Sequence, residues 1–240
     1  IEGRIKVFVR SSCGQPVRVS FRIQELNYEM SLMVEDAVVY VVDDDEDVRR
    51  ALGMLLESVG HTVIEFPSAE AFLAAPRTDK PACLILDIHM PSTSGIELQE
   101  RLNQGSDELP VIFLTGHGNV PNAVSALKLG AIDFLEKPLR SDEQLLQRVR
   151  EALAIDAAAK ARLAREDAAK SVIALLTRRE AQVFEFLCQG MANKVIGIEL
   201  GISERTVELH RSHVMKKMGA RSIAELIHLR DAAQGEIGQS

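Results

Sequence analysis

Two apolar runs, each ending in a carboxylate, constrain this chain more than any other feature. Val38 to Val42 leads into Asp43-Asp44-Asp45, and Ala82-Cys83-Leu84-Ile85-Leu86 leads into Asp87. Unbroken apolar runs of this length are expected for strands covered on both faces. In an open α/β sheet the carboxyl ends of parallel strands form the crevice where ligands bind. If the two strands are neighbours, Asp43, Asp44 and Asp87 converge. Like charges that close do not all stay ionised without a cation. The donor set calls for a hard divalent ion, Mg2+ (or Mn2+), which takes carboxylate and carbonyl oxygens and keeps several waters.

The surrounding pattern repeats. After the aspartates, Val48, Ala51, Leu52, Leu55 and Val59 recur at helical spacing, with Gly60 as the stop. Thr62 to Phe66, Cys83 to Leu86, Val111 to Leu114 and Ala131 to Leu135 read as further strands. Helices are expected over Ser68 to Leu73, after the capping box Ser94-Gly95-Ile96-Glu97, over Asn119 to Leu129, and after Ser141-Asp142-Glu143-Gln144. Five strands alternating with five helices predict a doubly wound parallel sheet. Asp43, Asp44, Asp87, Thr115 and Lys137 all fall at strand carboxyl ends, where such folds place their sites.

Charge divides the chain. Residues 34–140 carry 8 Lys and Arg against 18 Asp and Glu, whereas residues 171–240 carry 9 against 8 plus three histidines. That asymmetry implies two domains with different partners. Nucleic-acid binding by the second must come from local placement of charge. No stretch approaches 18 uncharged apolar residues, so no membrane span is expected. Three scattered cysteines, without CxxC spacing, read as reduced thiols of a cytoplasmic protein. Residues 1–33 look foreign to the rest of the chain, and Ile1-Glu2-Gly3-Arg4 resembles a tag-removal protease site. Alternation in Lys6 to Val9 and Val17 to Arg22 is compatible with a hairpin, but the preferred reading is a poorly ordered tag or upstream segment.

After the first domain (34–154), Ala157 to Arg165 is Ala-rich, charged and free of Pro and Gly, which predicts a helical linker over 155–171. The region 172–240 predicts four helices: one opened by the box Thr177-Arg178-Arg179-Glu180, Asn193 to Leu200, Glu204 to Met218 capped by Ser203, and one opened by Ser222-Ile223-Ala224-Glu225. A short helix, a Gly turn and a capped helix rich in Arg, Thr, His and Ser is a helix-turn-helix pattern.

Val42-Asp43-Asp44, Asp87 with Met90-Pro91 and Gly95, Thr115-Gly116-His117-Gly118 and Phe134-Leu135-Glu136-Lys137-Pro138 resemble the receiver domain of two-component response regulators, over about 37–154. Leu176 to Glu180, Asn193-Lys194, Ile202 to His210 and Met215 to Met218 resemble the LuxR/FixJ/NarL-type DNA-binding domain, over about 172–230. The resemblance implies a five-stranded, flavodoxin-like receiver and an all-α four-helix domain. It implies phosphoryl acceptance on Asp87 from a sensor histidine kinase. The metal would sit on Asp43, Asp44, Asp87 and the backbone carbonyl of His89. Lys137 and the Thr115 hydroxyl would meet the phosphoryl oxygens, and Phe134 would follow Thr115 as the switch. A cis bond before Pro138 would aim Lys137.

In the second domain the third helix would enter the major groove of double-stranded DNA. Glu208, Leu209 and Ser212 would face bases, with Arg205 and Arg211 near bases or phosphates. Lys194, Thr206 and Lys216 would hold the backbone. Leu226 and Leu229 would form the surface of a homodimer that pairs on phosphorylation, and RNA polymerase would be a further partner.

Blander readings stand beside these. Taken singly, Thr115 is a strand-end hydroxyl, Phe134 core, Lys137 and Lys216-Lys217 surface charge, and Glu208 a surface carboxylate. His89 reads as an exposed loop side chain, and His117 as structural. Asp43, Asp45 and Asp47 begin like an EF-hand loop, but Val48 and Met54 stand where Gly and Glu are needed. Two rival functions remain. One is an Mg2+-dependent phosphohydrolase, for which Asp43 and Asp45 have the spacing of a haloacid-dehalogenase-type pair. The other is a phosphorylation-independent DNA-binding protein whose receiver is a dimerisation scaffold.

Overall fold

The computed structural model describes residues 4–10, 16–22, 37–105, 109–116, 120–139 and 141–235. Near the start, β1 (Arg4–Arg10) and β2 (Pro16–Arg22) pair with each other as a separate two-stranded sheet. Five further strands form one parallel sheet: β3 (Val38–Val42), β4 (Thr62–Phe66), β5 (Ala82–Leu86), β6 (Val111–Thr115) and β7 (Asp133–Glu136), in the order β4-β3-β5-β6-β7. Counted within the sheet this is 2-1-3-4-5, the flavodoxin-type order, whose direction of winding reverses between β3 and β5. The two strands that lead into aspartates are therefore hydrogen-bonded neighbours at the switch point. Their register pairs Val42 with Leu86, so Asp43 and Asp87 leave the sheet side by side.

Helices cover both faces. Leu52 and Leu56 of α1 (Glu46–Ser58) and Leu145, Val149 and Leu153 of α5 (Asp142–Ile173) pack on Val39, Val41, Ile85 and Ile112. Phe72 of α2 (Ala69–Ala74), Leu98 and Leu102 of α3 (Gly95–Gln104) and Ala126 of α4 (Val120–Lys128) pack on Tyr40, Leu84, Leu86 and Phe113. Burial on both faces explains why β3, β5 and β6 read as unbroken apolar runs. The fifth strand of the sheet starts two residues later than Ala131: Ala131 N still donates to Ala126 O, closing the turn after Gly130, and Ile132 N donates to Val111 O as the chain joins β6.

The chain forms two compact units whose boundary in α5 falls at Lys160. α5 is one helix of 32 residues, so the linker expected to be helical continues the last helix of the sheet-bearing unit without a break. The second unit is all-α: α6 (Arg178–Cys188), α7 (Asn193–Leu200), α8 (Glu204–Met218) and α9 (Ile223–Ala233). Val183, Phe184, Leu187, Ile196, Val207, Val214 and Leu226 form its core. Among the described residues no helix is long and apolar enough to cross a membrane.

Two expectations need correction. The preferred reading of 1–33 as poorly ordered fails over β1 and β2, which pair as the alternation allowed. The box at Ser222 is half-made. Its hydroxyl accepts from Glu225 N at 3.3 Å, but Glu225 Oε2 accepts from Arg221 N at 2.9 Å instead of Ser222 N.

Candidate functional site

The acidic site is built by loop geometry at the switch point. Asp87 N donates to Val42 O at 2.9 Å, extending the β3–β5 ladder by one bond and fixing the Asp87 backbone. Gly95 opens α3 directly against this turn. A Cβ there would strike the Asp87 carbonyl oxygen, so the close approach of α3 requires glycine. Asp43 Oδ1 accepts from Asp45 N at 3.0 Å, and Arg49 Nη1 donates to Asp43 O at 2.7 Å. Asp45 caps α1, accepting from Asp47 N and Val48 N, which leaves it out of the site.

Asp43 is 2% exposed, Asp87 7%, and Asp44 is exposed at the rim. Carboxylate oxygens of all three lie within 4.8 Å of one another. Lys137 Nζ donates to Asp43 Oδ2 at 2.5 Å and stands 3.9 Å from Asp87 Oδ1. The Lys137–Pro138 bond is cis, as the resemblance implies. Burial pushes the Asp87 carboxyl above its ordinary pKa. The Lys137 ammonium pulls it down, the Asp43 carboxylate pushes it up, and hydrogen bonds from Ile88 N and the Thr115 hydroxyl pull it down again. Among the described residues, three carboxylates and the Lys137 ammonium leave a surplus of negative charge on oxygen donors, which suits a hard divalent cation.

Thr115, at the end of β6, is fully buried. Phe134 pairs with Phe113 across β6 and β7 and is half-buried against the core. His89 departs from its expected role. His89 is an exposed residue, but its ring Nδ1 lies 3.3 Å from Thr115 Oγ1, so the side chain contacts the end of β6. The sequence carried no signal for this, because residues 89 and 115 meet only when β5 and β6 pair. His117 lies outside the described residues.

In the second unit, Thr177 and Glu180 make the reciprocal box that opens α6. Gly201, at φ 64°, turns the chain between α7 and α8, and Ser203 caps α8 by accepting from Thr206 N at 3.1 Å. Val207, Val214 and Met218 face the core. Arg205, Glu208, Leu209, Ser212 and Lys216 lie on the exposed side, with Leu209 55% exposed although apolar. Lys194 is exposed on α7. Thr206 and Arg211 are half-buried and already engaged: the Thr206 hydroxyl bonds Ser203 Oγ at 2.7 Å, and Arg211 Nη1 donates to Asn193 Oδ1 at 3.3 Å.

Leu226 is 0% exposed in the core and cannot present itself to a second copy, which corrects its assignment to a dimer surface. Leu229 is half-buried against the same core. Lys217, although exposed, is paired. Its Nζ donates to Glu180 Oε2 at 2.6 Å and to Leu175 O at 3.2 Å. The bond to Glu180, helped by Thr177 N, holds the Glu180 carboxyl down to about 2.

A parallel sheet with three carboxylates at its switch point, followed by a helix-turn-helix unit, defines a response regulator with a DNA-binding output. Residues 39–150 match the response regulator receiver domain, and residues 174–230 match the bacterial regulatory proteins of the luxR family. The transcriptional regulatory protein FixJ of Azorhizobium caulinodans is 46% identical over 200 residues, covering 82% of this chain and 93% of that protein. The response regulator protein TmoT of Ectopseudomonas mendocina is 42% identical, covering 81% and 88%. A solved structure of the response regulator StyR superposes with a TM-score of 0.75 at 42% identity, covering 82% of this chain and 98% of that one. This chain therefore belongs to the response regulator family, with a receiver domain and a LuxR-type DNA-binding domain. It is a transcriptional regulator rather than a conventional enzyme.

Proposed function

We propose that Asp87 accepts a phosphoryl group from a sensor histidine kinase, and that this controls DNA binding by the second unit. The observation that carries the reading is the convergence of buried Asp87 with Asp43, Asp44, Lys137 and Thr115 at the switch point. An Asp87 carboxylate oxygen forms the new bond to phosphorus. The bond from phosphorus to the donor breaks, and its electron pair leaves with the imidazole of a phosphohistidine or the carboxylate of a small acyl phosphate. Asp43, Asp44, Asp87 and the His89 carbonyl would hold Mg2+ or Mn2+, which when bound neutralises phosphoryl charge. Lys137 supplies a cation, and Thr115 a hydroxyl, to the phosphoryl oxygens. The chain would catalyse only this self-phosphorylation and the loss of its own phosphoryl group.

Phosphorylation would bias a two-state receiver through Thr115 and Phe134. The output unit would place α8 in the major groove. Glu208, Leu209 and Ser212 would meet bases, and Lys194, Arg205 and Lys216 would meet bases or phosphates; their exposure supports this. The bonds of Thr206 and Arg211 favour roles in setting the angle of α8. We place the receiver at 34–154, the linker at 155–171 and the output domain from 172, in a cytoplasmic protein that pairs as a homodimer on phosphorylation and meets RNA polymerase. Intact mass after incubation with Mg2+ and acetyl phosphate tests the reading. One added phosphoryl group, absent from Asp87→Asn, is the expected result. No gain, with the fold intact, would favour the scaffold reading.

A further inference from the structure

The loop that runs from Asp87 to the start of α3 carries the His89 carbonyl. Gly95 N donates to Ile88 O at 2.9 Å and closes this loop at its base. Ile88 and Met90 are buried in the cluster that also takes in Ala69 and Phe72 of α2, whereas His89, Pro91 and Ser92 are exposed. Ser92 stands at φ 71°, in the left-handed region where a side chain crowds the backbone. Among the described residues no other residue with a side chain has a positive φ. Thr93 follows directly. It is 7% exposed, and its hydroxyl donates at 2.6 Å to Oε1 of Glu70, in the first turn of α2. That length is typical of a hydroxyl on an ionised carboxylate, one of the stronger hydrogen bonds in proteins. Apolar contacts at Ile88 and Met90 set how deep the loop lies, but they have no direction. The Thr93–Glu70 bond has direction, and it is made beside the strained residue.

We propose that Thr93 and Glu70 are positioning residues for divalent metal binding: their bond latches the loop in the conformation from which the His89 carbonyl joins Asp43, Asp44 and Asp87 as a ligand. The inference rests on the metal reading of the acidic cluster given above. Neither residue touches the ion. With the latch gone, the left-handed turn at Ser92 is free to relax, and the peptides between it and Asp87 turn with it. A ligand set fixed in advance loses less of its binding free energy to ordering. α2 follows the edge strand β4, so the latch ties the loop to an element that supplies no ligand of its own.

Mn2+ binding to the full chain without any phosphoryl donor, read from the free ion by electron paramagnetic resonance, tests this. Thr93→Val keeps the side-chain shape and removes the donor. It should weaken Mn2+ binding about three- to tenfold, the fold-change that one hydrogen bond is worth. Thr93→Ser, which keeps the hydroxyl, should recover most of the affinity. In a Glu70→Ala background the Thr93→Val change should add no further loss, because the acceptor of the bond is already gone. The Mg2+ concentration that gives half-maximal phosphoryl uptake from acetyl phosphate should rise by the same factor in Thr93→Val. Unchanged Mn2+ affinity in Thr93→Val, with only thermal stability lowered, makes the bond a structural tie and overturns the proposal. An equal loss with and without Glu70 overturns it too. A wild-type chain that binds no Mn2+ overturns the proposal together with the metal reading. One that binds Mn2+ but gains no phosphoryl group refutes Asp87 as acceptor, and the Mn2+ affinities still decide the latch.

Discussion

Both halves of the chain bury carboxylates, but they balance the charge differently. In the second unit Glu180 is 4% exposed; its Oε2 accepts from Lys217 Nζ and from the backbone N–H of Thr177, and His213 Nδ1 stands 3.6 Å from its Oε1. Its carboxyl is correspondingly held down to about 2. In the receiver Asp43 and Asp87 are as deeply placed, with Asp44 at the rim, yet Lys137 is the ammonium close to them and it favours Asp43. Burial moves the Asp87 carboxyl up, the opposite direction. A buried charge whose partners are complete ties elements together. A cluster left with surplus charge has capacity for a cation or a phosphoryl group, and such perturbed groups gather at functional sites.

The largest effect that would sharpen this contrast is at Asp87. Asp87→Asn should abolish phosphoryl uptake, seen by intact mass, with far-UV circular dichroism unchanged. Gly95→Ala comes next. Its Cβ meets the Asp87 backbone, so α3 must retreat at a cost of about 1–3 kcal/mol, measured by urea unfolding.

Asp156→Ala should cost a similar ~1–3 kcal/mol. Asp156 Oδ2 accepts from Ala82 N at 2.7 Å at the start of β5, and Lys160 neutralises it at 2.8 Å. This is a balanced buried carboxylate at the start of the linker that ties it to β5, so a loss confined to stability, with phosphoryl uptake kept, supports the contrast.

Glu180→Gln should change the pH dependence of the second unit. The folded value of about 2 lies below the ordinary 4.5. The unfolded chain therefore binds more protons between those values, and the Glu180 contribution is present above 4.5 and lost as pH falls toward 2. Acid unfolding of the variant should lack that component; an identical acid profile would break the comparison. The smallest effect is at Lys194. Lys194→Ala should lower the salt slope of binding to duplex DNA by about one, and an unchanged slope removes it from the phosphate contacts.

How much was legible in the sequence depends on the range of the interactions. β3, β5 and β6 were legible because burial on both faces writes an unbroken apolar run into local sequence. Caps at Ser94, Thr177 and Ser203 were legible because a cap spans three residues. Leu226 was misplaced because periodicity cannot say which apolar face of a short helix meets its own core and which a partner. Lys217 looked unpaired because its partner lies 37 residues away.

The sequence by itself determined the two-domain organisation, the parallel sheet and the carboxylates at its strand ends. Those depend on local burial and chain connectivity. Only the tertiary structure decided that Lys137 sits on Asp43 rather than Asp87, that His89 reaches Thr115, and that Glu180 and Asp156 are paired in the interior. Hydrogen bonds and ion pairs hold over about 3 Å. Which groups come that close is fixed by strand pairing and helix packing, and residues far apart in the chain carry no mark of it.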